Sequence, residues 1–181
     1  MQLIDKYWGD FKQNNELKPL TFEAEDEITT PIVKEVFGPD KEFVKIDFRA
    51  GGNRSNEAKY FKMIEKILNN SVAGLIDLDL VKSQKIQRAN VWYDDMNDYG
   101  IFTLMGFPRN NQTLDEVKTL LLQEVEKVKK GEFDDWMLEA IVNQYKLDQM
   151  QQNDRNWGAF SFLDAFISGA TWEEADRKSV V

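Results

Sequence analysis

The chain has 181 residues, 42% of them hydrophobic and 12% aromatic, enough for one substantial core and too many for a globally disordered polymer. Its formal charge of −9, with no local basic face, argues against nucleic acid as a partner. Cysteine and histidine are both absent, which excludes disulfides, thiol nucleophiles, imidazole bases and any metal held by those side chains.

Residues 2–8 place Leu3, Ile4, Tyr7 and Trp8 at helical spacing before Gly9, a helix too short to stand alone. Residues 10–31 are polar and acidic, with Glu23, Glu25, Asp26 and Glu27 close together, and read as a solvated linker with one short extended piece at Leu20, Thr21 and Phe22. A strand is expected over residues 32–37. A turn at Gly38-Pro39-Asp40 would fold it back as a hairpin onto the next strand. There Val44, Ile46 and Phe48 alternate with Lys45, Asp47 and Arg49. The turn Ala50-Gly51-Gly52-Asn53-Arg54-Ser55 leads into a helix whose Tyr60, Phe61, Ile64, Ile67 and Leu68 share one side.

Residues 72–80 are apolar apart from Asp77 and Asp79, and fit a short helix or an extended crossing equally well. Residues 85–93 alternate, with Ala89, Val91 and Tyr93 on one face and Ile86, Arg88, Asn90 and Trp92 on the other. After a loop at residues 94–98, residues 99–107 form the partner of an antiparallel hairpin. Thr113-Leu114-Asp115-Glu116 has the form of a capping box. The helix it starts carries Leu114, Val117, Leu121, Val125 and Val128, and ends on Lys127, Lys129, Lys130 and Gly131, cations that complement the helix dipole. A second helix is expected from Asp135 to about residue 152, capped by Asp134, stapled by Phe133 on Leu138, and burying Met137, Ile141, Tyr145 and Leu147. The stripe of Trp157, Phe160, Phe162, Leu163, Phe166 and Ile167 reads as core, and Thr171 to Glu174 as another helix start. The order of elements predicts an α+β domain: two layers, a mainly antiparallel sheet with helices packed on one face.

No apolar run approaches the roughly 18 residues of a membrane span, so no membrane partner is expected. The first five residues are not a signal peptide, and an export signal would have to lie outside these residues. There is no glycine-rich phosphate loop and no G-x-S-x-G or Ser-x-x-Lys. Two carboxylate pairs, Asp77 with Asp79 and Asp94 with Asp98, were they to share a pocket, would suit acid–base hydrolysis. The segment from Asp95 to Gly100 fails the spacing of a calcium loop, since Tyr99 falls where a short oxygen donor is needed. Asn53, Asn69 and Asn111 each begin an Asn-x-Ser/Thr triplet, a pattern short enough to arise by chance.

Six stretches in order carry a resemblance: residues 3–11 (LIDKYWGDF), 44–50 (VKIDFRA), 74–80 (GLIDLDL), 98–102 (DYGIF), 112–117 (QTLDEV) and 130–134 (KGEFD). Together they resemble the insulinase/pitrilysin-type zinc metallopeptidases, over nearly the whole chain. That resemblance implies homologous α/β domains closing around a peptide-holding chamber, one carrying a zinc helix and the next catalytically silent. Residues 1–10 would then end a preceding domain, residues 11–31 would link, and residues 32–181 would form the silent domain, truncated at its C-terminus. Lys62-Met63-Ile64-Glu65-Lys66 has the cadence of the family's His-x-x-Glu-His, with lysine in place of each histidine. Read simply as a helix surface, Lys62, Glu65 and Lys66 would be a solvated face with an i,i+3 ion pair.

The resemblance therefore implies no catalytic, cofactor-binding or metal-binding residue in this chain, and zinc only in the full-length parent. The implied partners are the catalytic domain of the same polypeptide and a peptide substrate, in a periplasmic or secreted setting. The competing expectation is a self-standing protein-interaction module that uses its sheet face or the region from Trp157 to Trp172.

Overall fold

The middle strand of the sheet, β3 (Tyr99–Phe107), takes both of its neighbours antiparallel: β1 (Val44–Gly51) on one side and β2 (Arg88–Asp95) on the other. The computed structural model describes residues 2–12, 14–18, 20–153, 160, 163 and 167. They fall into two units, divided between Gly38 and Pro39. The first unit holds α1 (Gln2–Trp8) followed by irregular chain, and its large apolar side chains, from Leu3 to Phe37, are exposed.

In the second unit the register sets Ile46 beside Leu104 and Leu104 beside Val91, so one face of the sheet is continuous apolar surface. Two helices cover it, α2 (Glu57–Leu68) and α3 (Leu114–Lys130), while α4 (Asp135–Asn153) packs on α2. The core lies between the layers, where Leu68, Ile76, Leu80, Ile86, Leu104, Val117 and Leu121 are fully buried. Phe61 stacks on Tyr93 and tilts against Phe102, with ring centroids 5.4 Å apart in both contacts. A Cβ at Gly106 would lie 2.6 Å from Val117 Cγ1, so the bare backbone there is what lets α3 approach β3. The architecture is α+β, as the order of elements predicts. No helix among the described residues is long and apolar enough to cross a membrane.

The capping box forms as the sequence indicates. Thr113 Oγ1 accepts from the Glu116 amide at 3.2 Å, and Glu116 Oε2 accepts from the Thr113 amide at 2.8 Å. At the other end Gly131 adopts the left-handed conformation with φ 70°. Thr113→Ala removes one of the two reciprocal bonds and should cost about 1 kcal/mol. A urea midpoint that stays put in that variant would show that the box adds nothing to the packing of α3.

Several expectations are corrected. Residues 32–37 form no strand, and β1 pairs with β3 instead. The apolar residues there come in couples, Ile32 with Val33 and Val36 with Phe37, so two-residue alternation gives them no single apolar face. Leu20, Thr21 and Phe22 lie in irregular chain. Tyr60, placed on the buried side of α2, is 66% exposed, and Leu147 of α4 is also exposed. Asp77–Lys82 is a π-helical segment, which decides the crossing that the sequence leaves open. Of the aromatic stripe expected in the core, Phe160, Leu163 and Ile167 are exposed. Trp157, Phe162, Phe166 and the start at Thr171 lie outside the described residues.

Candidate functional site

Lys62, Glu65 and Lys66, singled out by the sequence, lie on α2 beside the outer edge of β2. A backbone N–H carries one proton, so an edge strand leaves alternate amides turned away from its neighbour. Two such amides of β2 meet side chains of α2 and of its C-cap: Tyr93 N donates to Glu65 Oε2 at 3.2 Å, and Val91 N donates to Asn69 Oδ1 at 3.4 Å. Lys66 Nζ reaches the other Glu65 oxygen, Oε1, at 2.9 Å. Lys62 Nζ pairs with Asp95 Oδ2 at 2.6 Å, while its carbonyl accepts from Tyr145 Oη of α4 at 3.3 Å. Glu65 thus binds its chain neighbour and a strand amide, and the i,i+3 pair with Lys62 expected of a solvated face is replaced by Lys62–Asp95.

These groups do not fit a zinc ion. An ammonium nitrogen has no lone pair to offer. Both lysines are committed to carboxylates, and Glu65 accepts from Tyr93. No cluster of three or more Asp or Glu able to hold a metal occurs among the described residues.

Asp77 and Asp79 go separate ways. The π-helical backbone sends their side chains to different neighbours, where a strand would have put both on one face. Asp77 is buried and holds the turn after α2, accepting from Asn69 Nδ2 at 2.6 Å, Asn70 N at 2.8 Å and Gly74 N at 3.3 Å. Asp79 accepts from Lys127 Nζ of α3 at 2.6 Å, and the same ammonium lies 2.9 Å from Glu124 Oε2. The two carboxylates are held by different partners, and their arrangement is that of clamps between elements.

Of the second pair, Asp94 and Asp98, the first is engaged within its own strand. Asp94 accepts from Trp92 Nε1 at 2.9 Å, while the hairpin tip at residues 96–98 is tied to the glycine turn through Asn53 N and the Met96 carbonyl at 2.8 Å. A Cβ at Gly52 would lie 2.7 Å from the carbonyl carbons of Asn97 and Asp98, so only glycine allows that approach. Of the three Asn-x-Ser/Thr triplets, Asn53 binds Asn97 and Asn69 is held between Asp77 and β2, while Asn111 sits in an exposed turn with φ 63°.

Sequence reasoning passed over Glu124, which stands on the apolar stripe of α3, three residues after Leu121 and four before Val128, and is buried. Burial holds its carboxyl above the ordinary 4.5, by more than the nearby Lys127 ammonium offsets. Burial alone would lower Lys127, but the Asp79 and Glu124 carboxylates hold it above 10.5. Between pH 4.5 and the raised folded value, the folded protein keeps a proton on Glu124 that the unfolded chain has already released. This group's contribution to stability therefore falls as pH rises from 4.5 through the raised folded value. Glu124→Gln has nothing to titrate and should gain on the wild type across that window, then run parallel above it. Denaturant unfolding at stepped pH reads the difference, and parallel curves throughout would refute it.

The other face of the sheet is a solvent-facing mixture. Trp92, Tyr99, Ile101, Met105 and Phe107 are half-buried there. Cations lie over their rings: Lys45 5.9 Å from the Trp92 centroid, Arg49 5.2 Å from Tyr99 and Arg88 4.2 Å from Phe107.

Comparison with known proteins places this geometry. Residues 1–145 match the profile of the Peptidase M16 inactive domain. Among solved structures, a protease from Helicobacter pylori superposes with a TM-score of 0.69 at 16% identity, covering 76% of this chain. The chain spans only 34% of that protease, and the likeness speaks to the fold. No curated protein sequence matches the chain. With the profile spanning most of its length, the chain belongs to the Peptidase M16 inactive domain family and is a non-catalytic domain of a peptidase-like protein.

Proposed function

We propose that this chain is the silent domain of a chambered zinc metalloendopeptidase and that it helps to enclose and position peptide substrates. Its companion is a catalytic domain of the same polypeptide, which supplies the zinc. In this reading the parent works in the periplasm or outside the cell. The observation that carries the reading is the open sheet face. It offers half-buried aromatic and aliphatic side chains beneath long-stemmed cations, which suits an extended polypeptide of mixed sequence better than one small ligand. A wall of this kind selects substrates by the size the chamber admits, since closure excludes bulky folded proteins.

The chain alone, given zinc and an unstructured fluorogenic peptide, should show no hydrolysis. Chelator-sensitive cleavage by these residues would end the proposal. In the full-length parent, Trp92→Ala should raise KM for long peptides several-fold while leaving zinc content unchanged. An unaltered KM would remove the sheet face from substrate handling and leave a protein-interaction module as the better reading.

A further inference from the structure

Edge strands invite other strands, because their outward amides and carbonyls are a template for pairing. In β2 the outward amides of Val91 and Tyr93 are taken by Asn69 and Glu65. The spacing explains why one helix can do this. Four residues of helix rise about 6 Å, and two residues of strand advance about 6.6 Å. A helix lying antiparallel to the strand therefore sets side chains at i and i+4 against amides at j and j−2.

Each acceptor is itself held. Asp77 takes the Asn69 Nδ2 proton at 2.6 Å, which turns Oδ1 toward Val91, and Lys66 holds Glu65 Oε1 at 2.9 Å. Lys62 and Asp95 pair alongside, at the end of the same strand.

We infer that α2 closes the outer edge of β2 against strand addition, with Glu65 and Asn69 as the closing groups and Lys66 and Asp77 as the residues that position them. An arriving strand, from a peptide or from a second copy of this chain, would have to displace both side chains before it could accept from Val91 and Tyr93. The glutamate of the Lys62–Lys66 cadence is thereby given a structural task in place of a chemical one. This closure is a property of the sheet and its helix, and stands whether or not the domain walls a chamber.

The test uses the whole chain with Glu65→Ala and Asn69→Ala combined, and Glu65→Gln as the conservative variant that keeps an acceptor. Amide hydrogen exchange is read residue by residue. In the double variant, Val91 and Tyr93 should exchange at least about fivefold faster than in wild type, as expected for a lost protecting bond. Leu104 in the middle strand should keep its rate, which separates edge opening from global unfolding. Glu65→Gln should leave Tyr93 protected. Sedimentation should then show the double variant associating at concentrations where the wild type does not.

Unchanged rates at both amides in the double variant would overturn the inference. So would faster exchange without added association, since the closing groups would then not be what keeps a strand away. If the double variant does not fold, Asn69→Ala alone decides: faster exchange at Val91 together with added association upholds the closure, and the absence of either refutes it. None of these readouts involves peptide cleavage, so they succeed or fail separately from the enclosure reading.

Discussion

Asp77→Ala is expected to destabilise the domain by roughly 3 to 4 kcal/mol, a large share of a typical domain's stability. The carboxylate is 7% exposed and accepts three bonds, two of them from the amides of Asn70 and Gly74. Alanine would leave those amides without a protein acceptor in a closed turn, and would free the Asn69 carboxamide that faces Val91. Asp79→Ala should cost less than about 1 kcal/mol, because its ion pair with Lys127 is partly solvated and Lys127 retains Glu124. Chemical denaturation of both variants checks the contrast. Equal losses would mean that the two carboxylates act as one unit.

Leu104→Ala should cost about 3 to 5 kcal/mol, the upper range for such a truncation. Leu104 is fully buried on the middle strand, with Ile46 and Val91 beside it in register and two helices above the same face. Its neighbours belong to two flanking strands and the helices above them, so the space left behind cannot close by the shift of any one element. Met105→Ala, one residue on and facing solvent, should cost about 1 kcal/mol, since its environment is half open. A thermal midpoint that falls as far for Met105→Ala as for Leu104→Ala would show that the open face is covered in solution.

Legibility followed the distance over which each interaction acts. The Thr113–Glu116 capping box joins groups three residues apart, so the four-residue motif alone is enough to place the start of α3. The pairing of β2 with β3 was equally readable, because the strands alternate and a short loop joins them, although β2 runs from Arg88 to Asp95 where residues 85–93 were expected. The partner of β1 was not. A turn at Gly38 to Asp40 suggested a local hairpin, whereas β3, more than fifty residues on, supplies the longer matched surface. Asp77 and Asp79 illustrate the same limit at the candidate site. Two acids with one residue between them share a face only on a strand, and the π-helical backbone that parts them depends on packing of Ile76 and Leu80 into the core. Glu124 escaped notice although its spacing from Val117, Leu121 and Val128 puts it on the apolar stripe, because its charge was weighed above its position.

By itself the sequence determined what this chain lacks and what it locally forms: no imidazole or thiolate to grip a metal, the α3 cap, the hairpin, and the alternation that gives the sheet one apolar face. Those follow from side-chain chemistry and from contacts between near neighbours. Tertiary structure decided which strand lies in the middle, which carboxylates are buried, and that Glu65 faces a strand amide contributed 28 residues further along. Burial and partner choice are set by surfaces brought together from distant parts of the chain, and the free energy that fixes them is shared among all the groups that meet there.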